Sequence, residues 1–122
     1  MKIKYIPVFV NDMEEAIGFF TGKLGFSLAG ETVLNDDAGY TAMQVNNTET
    51  YLNLQLDKHN SGFKTRIILN TDDCLKDYHD LKTKGINFKE QPQYLTIGLS
   101  AEFNDNYGNQ YVLLEERNYN EL

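Results

Sequence analysis

Apolar and polar positions change their period along the chain, and the whole change then happens a second time. Ile3–Val10 (IKYIPVFV) is rich in β-branched and aromatic residues and reads as a strand. Pro7, which has no N–H for a ladder, puts it toward a sheet edge. The spacing then lengthens to that of a helix: Met13, Ala16, Ile17, Phe20 and Leu24 fall on one stripe. Asp12 followed by Glu15 is a capping-box start, and Gly25 suits the left-handed stop, so the pattern predicts a helix over 12–24. Strands follow at Phe26 to about Val33, with Gly30 a predicted bulge, at Tyr40–Val45 and at Thr50–Leu56. Turns are expected at Asn35-Asp36-Asp37 and Asn46-Asn47. In the last strand Leu52, Leu54 and Leu56 share one face; Tyr51, Asn53 and Gln55 share the other.

After a polar linker, Asp57–Phe63, the pattern restarts. Thr65–Asn70 is a strand, Thr71, Asp72 and Asp73 each offer a helix cap, Leu75, Tyr78 and Leu81 form a stripe, and Gly85 closes it. Ile86–Phe88 begins the next strand and Gln91–Gly98 stays unassigned. Ser100–Asn104 and Gln110–Glu115 flank the turn Asp105-Asn106-Tyr107-Gly108-Asn109. Asp12 matches Asp72, Gly25 matches Gly85 and Tyr51 matches Tyr111; Met13, Ile17 and Phe20 match Cys74, Tyr78 and Leu81 with a shift of one. Self-similarity of this kind marks a duplicated unit, here β-α-β-β-β. The expected fold is α+β: a single domain over 1–122, with a first module 1–56, a linker 57–63, a second module 64–116 and a tail 117–122.

The 122 residues are enough for one apolar core, and 41% hydrophobic with 24% charged residues is an ordinary globular balance. No apolar run approaches the ~18 residues of a membrane span, and the N-terminal stretch has no signal-length apolar run before its acidic residues. A net charge of −7 argues against nucleic acid and against anionic membrane surfaces. Cys74, the one cysteine, cannot form an internal disulfide, which points to a reducing cytoplasm. It shares a core position with Met13. Two histidines, His59 in the linker and His79 on the second helix, lack a carboxylate at metal spacing and read as surface residues. There is no G-x-S-x-G elbow, no G-x-G-x-x-G and no Walker sequence, so a nucleophile elbow and nucleotide cofactors find no support.

The duplicated unit resembles the vicinal oxygen chelate superfamily of glyoxalase I, bleomycin-resistance proteins, fosfomycin-resistance enzymes and extradiol dioxygenases. Val10-Asn11-Asp12, Ala16, Phe19-Phe20 and Leu24-Gly25-Phe26 carry the likeness in the first half; Asp72-Asp73, Leu81, Gly85 and Asn87-Phe88 carry it in the second. The Asp105–Asn109 turn is similar to the family's D-P-x-G-N, with asparagine in place of proline, and Glu115-Glu116 follow the last strand. The resemblance implies two curved mixed sheets with helices outside, pairing of two chains into a homodimer, and a divalent metal held by His and Glu on the first and fourth strands of each half. Placed on this chain, those four positions are Tyr5, Asn53, Arg66 and Val112. Guanidinium repels a cation and valine has no lone pair, so the expectation is no metal and no other cofactor. By strand alternation the concave surface is lined by Tyr5, Phe9, Asn53, Gln55, Arg66, Val112 and Leu114, an apolar floor with a few polar groups that suits a small organic molecule. Arg66 would meet either an anionic ligand group or an internal acid; Glu102 faces either inward or outward. The resulting expectation is a metal-independent, bleomycin-resistance-like binder that sequesters a small ligand. The alternative is a glyoxalase- or dioxygenase-like metalloenzyme with a displaced metal site; a third is a scaffold without a ligand.

Overall fold

The computed structural model describes residues 1–35, 38–46, 48–57 and 62–117, with 31–35 and 38–40 described by their backbone. Most of the turn at Asn35-Asp36-Asp37, Asn47, most of the linker with His59, and residues 118–122 of the tail lie outside the described residues. The chain forms two compact units, Met1–Thr65 and Arg66–Leu122.

In the first unit, β1 (Tyr5–Val10) leads into α1 (Met13–Gly18), then β2 (Ser27–Asn35), β3 (Ala38–Gln44) and β4 (Tyr51–Leu56). The sheet order is β1-β4-β3-β2. β1 runs parallel to β4 and the other pairs are antiparallel. Asp12 is extended and its side chain accepts from the Glu15 N–H at 3.1 Å, so the predicted cap forms. Ala16 and Phe20 are buried, as are Val8, Val10, Met43, Leu52 and Leu54 on one face of the sheet, where α1 meets β4. Gly30, at φ 124, sits where the β2–β3 register shifts, the predicted bulge.

The second unit repeats the order: β5 (Arg66–Asn70), α2 (Cys74–Thr83), β6 (Gln93–Leu95), β7 (Gly98–Asn104) and β8 (Gln110–Glu116), arranged β5-β8-β7-β6. Of the three offered caps the chain uses Asp73, which accepts from the Lys76 N–H at 3.1 Å. Thr71 accepts from the Asp73 N–H and donates to Asp77. The core beneath α2 is a run of rings: Tyr78 to Phe88 at 4.6 Å, Phe88 to Phe103 at 5.3 Å and Phe103 to Tyr111 at 5.2 Å. Fully buried Cys74 lies with them, in the expected core position.

Four expectations need correction. Leu75, expected on the apolar stripe of α2, is exposed; the buried stripe is Cys74, Tyr78 and Leu81, because Asp73 rather than Asp72 caps the helix. The helix over 12–24 is not continuous α-helix: after Gly18 it becomes a π-helical turn, Phe19–Lys23, closed by the Leu24 N–H on the Phe19 carbonyl at 3.2 Å. No strand forms at Ile86–Phe88. Phe88 makes a single bridge to Phe103 while its ring packs on Tyr78, and the edge strand is β6, in the stretch left unassigned. β6 is exposed throughout, so burial stamps no alternation on its sequence. Tyr51 and Tyr111 are not equivalent. Tyr51 pairs with Tyr5 and stands away from the helix, whereas Tyr111 pairs with Ile67 and is fully buried beneath α2.

Candidate functional site

Each sheet turns one face to its helix; the other, which that helix does not cover, is its open face. In the first unit, β1 and β4 are in register as Tyr5↔Tyr51, Pro7↔Asn53 and Phe9↔Gln55, so these six side chains share the open face. β3 adds Ala42 opposite Asn53 and Gln44 opposite Tyr51. The four residues expected here, Tyr5, Phe9, Asn53 and Gln55, therefore stand together. The Tyr5 and Tyr51 rings lie 5.9 Å apart, and the Lys4 ammonium sits 4.7 Å from the Tyr51 ring centre, a cation–π contact. Phe9 meets Phe63 edge to face at 5.3 Å. Asn53 is 2% exposed, and its Oδ1 has no hydrogen-bond partner among the described residues. An orphaned buried acceptor costs about 1–3 kcal/mol.

In the second unit the register is Arg66↔Gln110, Ile68↔Val112 and Asn70↔Leu114, with Glu102 opposite Val112 and Ser100 opposite Leu114. Arg66, Val112 and Leu114, the other three expected residues, share this open face; Val112 and Leu114 are buried and Arg66 is exposed. The pairing also settles Glu102, which alternation left open. It stands on the same face as Arg66, with Oε1 at 3.7 Å from the Arg66 guanidinium and 3.6 Å from the Lys89 ammonium. Lys89 was not anticipated. It lies outside any strand; the bridge of its neighbour Phe88 to Phe103 and the bond from its own N–H to the Glu102 carbonyl bring it here. These groups border a depression of roughly 270 Å³, with Gln91, Gln93 and Leu95 on its wall and Val112 also lining it.

Other polar groups hold the unit together. Asp105 is buried and accepts from the Tyr107 N–H (2.8 Å), the Asn109 N–H (3.0 Å), Asn109 Nδ2 (2.9 Å) and the Tyr111 hydroxyl (2.8 Å). This explains the aspartate and asparagine of that turn. Burial, and then the Asp105 charge, push the Tyr111 phenol far above its ordinary range. Glu115 accepts from the Cys74 N–H at 2.9 Å, at the start of α2. That bond, and then Arg117, hold its carboxyl below the usual range. Burial, and next the Glu115 charge, raise the Cys74 thiol, which disfavours the reactive thiolate. His79 is exposed, as expected.

The donor set does not fit a divalent metal. The four positions of the resemblance hold a phenol, an amide, a guanidinium and an isopropyl group. Among the described residues no three His, Cys, Asp or Glu side chains are grouped so as to hold a metal ion. No helix among them is long and apolar enough to cross a membrane.

Comparison with known proteins gives a consistent picture. Residues 2–113 match the sequence profile described as the Glyoxalase/Bleomycin resistance protein/Dioxygenase superfamily. An uncharacterized protein of Shewanella frigidimarina is 32% identical over 124 residues, covering 93% of this chain and 92% of its own. A superfamily member from Sphaerobacter thermophilus has a crystal structure with TM-score 0.83 and 26% identity, covering 95% of this chain and 98% of its own. TnmS3, an antibiotic binding protein from Streptomyces sp. CB03234, shares the fold at TM-score 0.81 and 22% identity, covering 96% and 97%.

Proposed function

The chain belongs to the Glyoxalase/Bleomycin resistance protein/Dioxygenase superfamily, and from that premise we propose that it is a metal-independent binding protein that sequesters a small organic molecule on the open faces of its sheets. The observation that carries this reading is the chemistry at the four positions where the resemblance expects His and Glu: Tyr5, Asn53, Arg66 and Val112 offer hydrogen bonds, charge and apolar contact, but no ligand set for a cation. The unpartnered Oδ1 of Asn53 and the depression beside Arg66 support it, since both are features that a bound molecule would complete. The fold shared with an antibiotic-binding protein supports the ligand class. Tyr5, Phe9, Asn53 and Gln55 would contact ligand in one unit; Arg66, Val112 and Leu114 would do so in the other. Two copies of the chain would pair. The lone cysteine favours the cytoplasm.

Metal analysis combined with a thermal-shift screen tests the reading. Purified protein should retain no stoichiometric metal, and zinc, nickel, manganese or iron should leave its melting temperature unmoved. Some member of a panel of small acids, aromatic metabolites and glycopeptide antibiotics should raise it, because a ligand that prefers the folded state stabilises it. One tightly held metal per chain, or lyase or dioxygenase activity on loading, would instead establish a metalloenzyme.

A further inference from the structure

We propose that the depression on the second sheet receives a carboxylate of the bound molecule, with Arg66 and Lys89 as its counter-charges and Glu102 as the internal acid that competes with it for both. This rests on the binding reading above and names the chemistry of one end of the ligand. Glu102 lies 3.7 Å from Arg66 and 3.6 Å from Lys89. Both separations exceed the 2.7–2.9 Å of a charge-assisted hydrogen bond. Among the described residues neither cation's side chain donates a hydrogen bond, so the planar fork of Arg66 and the ammonium of Lys89 both keep their donors. Within the ion-paired trio one carboxylate faces two cations. Glu90 also borders the depression, so the charged lining as a whole is neutral; like Arg66 and Lys89 it is exposed, but it stands in no ion pair among the described residues. Buried Val112 and half-exposed Leu95 give an apolar wall beside the charges, so the site suits an acid carried on a ring or short hydrocarbon. A space of roughly 270 Å³ has room for a group about the size of a single substituted ring.

Three isosteric probes separate the possibilities: benzoate, benzamide and benzylamine, titrated into the full chain while amide and Arg66 Nε–H resonances are followed by NMR. Benzoate should bind tightest and shift Arg66 Nε–H together with β5 and β7 amides. Arg66→Met should weaken benzoate about tenfold, the size expected for losing one charge-assisted pair. Glu102→Gln should tighten it, because the competing internal acid is gone. A purely structural Glu102 predicts the opposite, and unchanged amide spectra show that the variants fold. Benzamide or benzylamine binding as well as benzoate, or Glu102→Gln or Glu90→Gln weakening benzoate, overturns the carboxylate assignment and leaves the binding reading intact. Failure of all three probes, alongside a thermal-shift panel with no hit, overturns both.

Discussion

Asp105 shows how one side chain can organise a turn and a strand. It is buried with four donors on its two oxygens, two from the backbone and two from the side chains of Asn109 and Tyr111. Such a carboxylate is stable inside only because nothing on it is left unmatched. The Tyr111 hydroxyl is one of the four, and burial beside that charge keeps it protonated well above its ordinary pKa. In the unfolded chain a phenol ionises near pH ~10. The neutral hydroxyl therefore contributes its full stability below that pH and loses it progressively above. Tyr111→Phe should cost about 1.5–3 kcal/mol near neutrality, the range for a hydrogen bond to a charged group. In urea denaturation the gap between parent and variant should narrow above pH ~10; a gap that stays constant to strong alkali would refute the assignment. The aspartate and asparagine were readable as a turn motif. The grip of Asp105 on the Tyr111 hydroxyl was not, because those side chains meet only once β7 and β8 pair.

The two helices explain why the internal match slips by one. Asp12 and Asp73 cap them, and Gly25 (φ 73) and Gly85 (φ 95) end them. The first interval holds one more residue than the second. A π-helical turn is how a helix absorbs a single extra residue without rotating what precedes it. So Ile17 and Phe20 keep the stripe positions of Tyr78 and Leu81, and the surplus residue is taken up at Phe19–Lys23. Deleting exposed Gly22 should convert this turn to plain α-helix with the spacing of α2. Stability should stay within about 1 kcal/mol of the parent, since a helical glycine is itself unfavourable by about that much. Circular dichroism and urea denaturation check it; loss of cooperative unfolding would show that the π turn is needed for the core. The sequence pattern carried the helix and its caps but not this turn, because stripe residues on either side of an inserted residue both still look helical.

The two units share one topology, and each leaves a sheet face that its own helix does not cover. On the second, Ile68 is 64% exposed beside its strand partner Val112. Apolar residues at such positions fit a face that a ligand or a second chain covers. Paired chains should sediment at twice the mass of one chain and hold that mass on dilution through the micromolar range; a single-chain mass at every concentration would remove the partner from the proposal.

The alternation of apolar and polar residues, the acidic helix caps and the closing glycines were enough to show a repeated unit and which residues of a strand share a face, because a side chain's direction along a strand or helix follows from local geometry; which face is concave came from the family resemblance. Gly30 was legible as a bulge for the same reason. Three things depended on pairing between distant segments. These are the side of the sheet on which Tyr111 stands, the edge strand at Gln93–Leu95, and the meeting of Glu102 with Arg66 and Lys89. A shift of one position in strand register reverses every side chain, and a loop residue such as Lys89 has no period to betray it, so only the folded chain could place them.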